Sequence, residues 1–179
     1  MKKKLLISCF SMLVFISAQA QDSLQVKPQV SAPYKLAVGL RYSTGGPMGV
    51  DLGVSAKYFI GRESALEAHT ALSPAARFHL TSLSYIWQPK LLTSERFRPY
   101  AGIGAGLLTV RDGFSNDDAK YTRAVAVATF GVEYKFKKVP IAISLDYRST
   151  FIRFGPAVPA YYNLNNTSNI GLGVKYTFR

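Results

Sequence analysis

The chain is poor in the residues on which most chemistry depends. It holds one cysteine, Cys9, and two histidines, His69 and His79, among 179 residues. Charged residues make up 18% of it, against about 25% in an ordinary soluble domain. No apolar run approaches the roughly 20 residues that a membrane-spanning helix needs, and no segment carries a convincing amphipathic helical period. A helical anchor, a helical bundle and a cysteine-rich framework are therefore all disfavoured.

The cysteine falls in a segment expected to be removed. Lys2, Lys3 and Lys4 precede an apolar stretch over residues 5–16 and the small-residue motif Ala18-Gln19-Ala20, the plan of a secretory signal peptide cleaved after Ala20. Cys9 follows Leu6-Ile7-Ser8 and loosely resembles a lipoprotein cleavage box, but few apolar residues precede it, which favours the later cut. The mature chain then has no cysteine, which excludes disulfides, thiolate catalysis and cysteine metal ligands. Three lysines leave with the leader, so +9 of the formal +12 remains. A basic balance suits nucleic acid or an anionic membrane surface, and an exported chain meets the membrane surface and no nucleic acid.

Tyrosine and phenylalanine, by contrast, are abundant at eleven each. Residues 21–33, with Pro28 and Pro33, show no period and read as a flexible periplasmic N-terminal lead. From residue 34 onward the pattern is alternation. Tyr34, Leu36, Val38, Leu40 and Tyr42 interleave with Lys35, Ala37, Gly39, Arg41 and Ser43, a period of two that makes a strand with one apolar face. Similar strands follow over residues 48–60, 66–72, 78–87, 100–110, 121–136, 141–151 and 169–178. In the fourth, Phe78 and Leu80 sit on one parity while Leu83, Tyr85 and Trp87 sit on the other, so a bulge near Thr81-Ser82 is expected. Eight antiparallel strands over residues 34–179 predict an all-β, up-and-down barrel.

Alternation alone does not say which face is inside, and a soluble lipocalin-type ligand barrel shares it. Three features favour lipid outside. The strands reach the 9 to 11 residues needed to cross a bilayer at a tilt. Their polar face is mostly Gly, Ala, Ser and Thr, which suits a narrow lumen. Aromatics gather at strand ends, at Tyr34, Tyr42, Tyr58, Trp87, Tyr134, Phe136, Tyr176 and Phe178, as girdles at the two membrane interfaces require. Outer loops are then expected at residues 44–47, 73–77, 111–120 and 152–166.

The inward face would hold Arg41, Asp51, Lys57, Glu67, His69, Glu133, Lys135, Asp146, Arg148 and Lys175. Eight strands enclose only enough space for side chains to fill. The charges read as a structural ion-pair plug, with a narrow small-solute channel as the alternative. Some outer-membrane barrels are enzymes on lipid, but no motif sets a serine beside His69, and its neighbour Glu67 reads as a lumen partner. Asp112, Asn116, Asp117 and Asp118 lack the ordered spacing of an EF-hand calcium loop. Gly102-Ile103-Gly104-Ala105-Gly106 precedes no helix and is no dinucleotide loop. No catalytic, cofactor or metal residues are assigned.

Several segments together resemble the small outer-membrane β-barrel proteins common in Bacteroidetes and, more loosely, the eight-stranded OmpX/OmpA-like barrels. They are Gly39-Leu40-Arg41, Ala65-Leu66-Glu67, residues 80–85, residues 99–106, Gly131-Val132-Glu133-Tyr134-Lys135-Phe136, residues 140–147 and residues 171–178. The resemblance implies a fold and a Gram-negative outer-membrane address, and no shared reaction. The closing strand is similar to the aromatic-ended signal read by the outer-membrane assembly machinery, although Arg179 follows Phe178. The expectation is a monomeric, non-enzymatic barrel serving envelope integrity or surface interaction. Its basic residues Arg77, Arg111, Lys120, Arg123 and Arg153 would meet lipopolysaccharide phosphates.

Overall fold

A computed structural model describes residues 32–45, 49–73, 78–91, 94, 96–111, 120–154 and 167–178. The leader, almost all of the N-terminal lead, the acidic 112–118 segment, Arg77 and most of the three longer loops lie outside these residues. Eight strands follow in order: β1 Leu36–Thr44, β2 Val50–Phe59, β3 Ser64–Ser73, β4 Phe78–Trp87, β5 Phe97–Arg111, β6 Lys120–Lys135, β7 Ile141–Phe154 and β8 Thr167–Phe178. Each pairs antiparallel with its neighbours, and β1 pairs β8 from Leu36↔Phe178 to Thr44↔Ile170, which closes the barrel. Closure removes the sheet edge and satisfies the backbone donors and acceptors internally, the condition for β-structure in lipid.

The turns follow local chemistry. Gly45 and Gly49 adopt φ values of +123° and +64°, which only glycine takes at little cost, and the Gly45 amide donates to the Gly49 carbonyl at 3.2 Å. The rim where β1 begins and β8 ends, the terminal rim, is knitted by further bonds. Gln88 N donates to Glu63 O at 2.7 Å, Lys135 N to Arg96 O at 2.9 Å and Thr177 N to Pro140 O at 2.8 Å. The opposite, distal rim carries the other four connections.

The apolar face looks outward. Leu40, Leu52, Leu83, Ile103, Leu145 and Leu172 are all exposed, Ile103 to 61% of its surface, while Arg41, Lys57, Glu67 and Asp146 are buried. A water-soluble barrel has the reverse arrangement, because each exposed Leu or Ile in water forgoes roughly 1.5–3 kcal/mol of transfer free energy. Only an apolar surrounding makes this distribution stable.

The fourth strand corrects the sequence reading. β4 alternates without interruption, and Phe78 and Leu80 point inward with Ser82, Ser84 and Ile86. No bulge interrupts it. The physical reason is that the lumen is not polar throughout: Phe78, Leu80, Leu108, Val110, Val125 and Val127 form an apolar cluster on the inner wall of β4–β6 toward the distal rim. The register irregularity lies instead between β6 and β7, where Ala126 pairs Ile152 and Val127 pairs Thr150. Phe151 is the extra residue, which locally increases the twist.

Candidate functional site

The residues most able to do chemistry converge inside the barrel, because alternation sends every second side chain of all eight strands to one axis. Around Asp146 of β7, Arg41 of β1 donates from Nε at 2.9 Å and from Nη2 at 2.6 Å, and the Tyr100 hydroxyl donates at 3.0 Å. Arg41 also donates to Ser43 Oγ at 2.6 Å and to Asn169 Oδ1 at 2.9 Å. Ser43 and Asn169 in turn donate to Asp51.

Deeper toward the terminal rim, Glu67 of β3 faces three cations. Arg148 Nη2 lies at 2.7 Å, Lys175 Nζ at 3.2 Å and Lys57 Nζ at 3.7 Å. Glu133 of β6 accepts from Lys57 at 2.9 Å, from Gln88 at 3.1 Å and from the Tyr34 hydroxyl at 2.7 Å. Lys57 Nζ also stands 4.3 Å from the centroid of the Tyr100 ring. Arg41, Lys57, Arg148 and Lys175 thus oppose Asp51, Glu67, Glu133 and Asp146, all buried. Desolvated charges are tolerable only with such pairing, and removing one member of a buried pair costs about 3–5 kcal/mol.

Glycines make the seats for these side chains. A Cβ on Gly171 would collide with the Arg41 guanidinium, and one on Gly131 would lie 2.7 Å from both the Tyr100 ring and Asp146 Cβ. A Cβ on Gly53 would stand 2.6 Å from His69 Nε2. The small residues of the polar face therefore leave room for the large ones opposite.

The ten lumen residues expected from the sequence occupy the inward face, with one difference in degree. Lys135 is half-buried at the terminal mouth, where it donates to the Pro33 carbonyl and stands 6.0 Å from the Tyr34 ring centroid. Tyr34 is a correction. It is no member of the outer girdle; it precedes β1, is buried, packs edge-on against Phe59 at 5.1 Å between centroids and corks the terminal mouth. Its parity matches that of Leu36, but the strand begins only at Leu36, and the bend at residues 33–35 swings the phenol inward. Tyr58, Trp87, Tyr134, Phe136, Tyr176 and Phe178 do face outward near the terminal rim, joined by Tyr85 and Phe97, whereas Tyr42 sits toward the distal end.

Arg123 is a second correction. Expected with the other basic residues to meet lipopolysaccharide phosphates, it lies within β6 opposite the inward-facing Leu108 and is half-buried. Gln88, Tyr100, Ser43 and Asn169 were not singled out beforehand. Gln88 continues the inward parity of β4 beyond Trp87, and Tyr100 shares the face of Gly102, Gly104 and Gly106; both signals were present in the alternation.

The register also places two serines beside His69, since Ser55 pairs with it on one side and Ser82 on the other. Neither hydroxyl is hydrogen-bonded to the ring, and among the described residues both imidazole nitrogens lack a hydrogen-bond partner. An activated nucleophile requires its base within hydrogen-bond reach, and this geometry does not supply it. His69 instead borders a cavity of about 10 Å³, together with Asp51, Arg148, Asn169, Phe78 and Leu80. That is room for about one water molecule.

Comparison with known proteins agrees with this architecture. The family described as outer membrane protein beta-barrel domain matches residues 8–178. The N-terminal β-barrel domain of Pseudomonas aeruginosa OprF is similar with a TM-score of 0.62 at 18% identity, over 81% of this chain and 99% of that one. A de novo designed transmembrane β-barrel gives 0.55 at 14% identity, over 83% of this chain and 98% of its own. Neisserial surface protein A gives 0.52 at 18% identity, over 80% and 96%. At such identities the likeness is one of fold alone. No curated protein matches the chain.

Proposed function

The chain belongs to the outer membrane protein β-barrel domain family, and on that footing we propose that it is a non-enzymatic barrel that works by its outer surface, in envelope integrity and lipopolysaccharide interaction. In this reading the leader directs Sec-dependent export in a Gram-negative cell, the aromatic-ended closing strand is read by the assembly machinery, and the barrel stands as a monomer. β1 begins and β8 ends at the terminal rim, which in this reading faces the periplasm. The distal loops then face outward.

The observation that supports it is the filled lumen. Eight paired charges cross the barrel axis, and Tyr34, Phe59, Ile86 and Tyr100 pack together at the terminal mouth. A barrel so occupied has its free chemistry on the outside. Because Arg123 is half-buried opposite the inward-facing Leu108, the lipopolysaccharide contacts fall to Arg77, Arg111, Lys120 and Arg153. Replacing those four together with alanine is expected to weaken lipopolysaccharide binding by refolded protein; undiminished binding would remove the assignment. A narrow channel would instead show as steady, salt-dependent conductance, and a lipid-modifying enzyme as changed lipid mass spectra that revert in His69→Ala.

A further inference from the structure

The outward face is largely apolar, and at the distal end of β3–β6 it carries a hydrogen-bonded row of polar side chains. There Thr70 Oγ1 lies 2.9 Å from His79 Nε2 and 3.1 Å from Thr81 Oγ1, and Thr81 Oγ1 lies 3.2 Å from the same ring nitrogen. On the next strands Thr109 and Thr122 share a hydrogen bond at 3.1 Å. The register joins the two groups, because Thr70 pairs with Thr81, His79 with Thr109, and Thr109 with Thr122. Around the rest of the distal rim the outward positions include Tyr42, Leu52, Tyr147, Phe151 and Ile170, together with Thr44 and the paired Ser149 and Ser168.

One threonine on such a surface is ordinary; five polar side chains in register across four strands are not. A hydroxyl or imidazole facing acyl chains costs free energy unless it is bonded. These groups bond one another, yet each keeps spare capacity: a hydroxyl offers one donor and two lone pairs, and an imidazole has two nitrogens. Among the described residues the second ring nitrogen of His79 has no hydrogen-bond partner. Below the row lie the exposed Leu83 and Leu107, and one rung above it on the same alternation the backbone pairs Arg111 with Lys120. The order from mid-membrane outward is therefore hydrocarbon, then hydroxyl and imidazole, with Arg111 and Lys120 the next pair in the ladder.

We propose that this quadrant of the barrel is a docking surface for the phosphorylated sugar headgroup of a lipopolysaccharide-class lipid. The same order runs along the lipid itself, from acyl chains through sugar hydroxyls to phosphate. Width selects the occupant: four adjacent strands span about 14 Å from first to last, more than one glycerol headgroup covers and suited to a phosphorylated disaccharide bearing several chains. The inference rests on the reading that the distal rim faces outward toward such lipid. It adds the site, the row Thr70, His79, Thr81, Thr109 and Thr122.

The test is equilibrium binding of lipid A, and separately of phosphatidylglycerol, to refolded protein in phosphatidylcholine vesicles. Wild type is compared with a combined Thr81→Val, His79→Leu, Thr109→Val variant and with Tyr42→Leu on the opposite face, all checked for folded-barrel gel mobility. His79→Gln alone serves if the combined variant does not fold. Lipid A affinity should fall about tenfold or more in the combined variant, given the net worth of one or two hydrogen bonds, and stay unchanged in Tyr42→Leu. Lipid A binding equal to wild type in the row variants overturns the site and leaves the broader reading standing. Wild type that binds no lipid A overturns the broader reading itself, and equal retention of phosphatidylglycerol overturns the disaccharide assignment.

Discussion

At the end of the barrel where β1 begins and β8 ends, Tyr34 donates to Glu133, Phe59 packs on Tyr34, and Lys57 is held by Glu133, Gln88 and the Tyr100 ring. Tyr58, Trp87, Phe97, Tyr134, Tyr176 and Phe178 ring the outside at that level. Toward the other end the inner wall of β4–β6 is apolar, Ser55, His69 and Ser82 stand in a row with unbonded polar atoms, and a small cavity borders the ring of His69. The outside there is aromatic on few strands and hydroxyl-bearing on others. The first half is braced by mutual pairing of buried charges, while in the second a buried imidazole and two hydroxyls border one another without hydrogen-bonding. On the proposed function, stability would belong to the first half and recognition to the second.

That contrast can be broken most forcefully at Glu67. Glu67→Gln removes the charge shared by Arg148, Lys175 and Lys57, and a loss of about 3–5 kcal/mol is expected, the cost of unpairing buried ions. Urea titration of folded-barrel gel mobility in micelles reads it, and a shift indistinguishable from wild type would mean that the network is not the brace described. Tyr34→Phe keeps the ring and deletes the bond to Glu133; about 1.5–3 kcal/mol should be lost in the same titration. Gly131→Ala presses a methyl against the Tyr100 ring and Asp146, and about 1–3 kcal/mol of strain is expected.

The row beside the cavity should answer with the opposite sign. His69→Leu replaces an unbonded buried imidazole by an apolar group of similar size, so a gain of up to about 1 kcal/mol is expected, since an unsatisfied buried polar group is itself a cost. A loss comparable to that of Glu67→Gln would erase the distinction between the halves. Smallest of all is Lys35→Ala, which removes an ammonium 5.3 Å from the exposed Tyr58 ring centroid, worth about 0.5–1 kcal/mol.

Much of this was legible in the alternation, because a period of two in a closed barrel assigns every side chain to lipid or lumen. The strand count, the outward leucines and the inward charges all follow from it. What alternation does not contain is where a strand begins, and so Tyr34 read as one more outward aromatic. Nor does apolarity alone mean lipid: Phe78 and Leu80 face inward because the ionic layer ends before the lumen does. The pairings themselves join residues far apart in the chain, Arg41 with Asp146 and Glu67 with Arg148. They depend on the stagger around the closed ladder, which no local pattern encodes. The hydroxyl row was hidden for the same reason, since its five members lie on four strands and align only through the register.

A filled lumen is what supports the proposal that the barrel works by its outer surface. Planar-bilayer recording on refolded wild-type protein tests this most directly. The paired charges and the Tyr34 cork predict a silent membrane at every salt concentration; steady single-channel conductance that rises with salt would contradict the closed lumen and return the barrel to the narrow-channel reading.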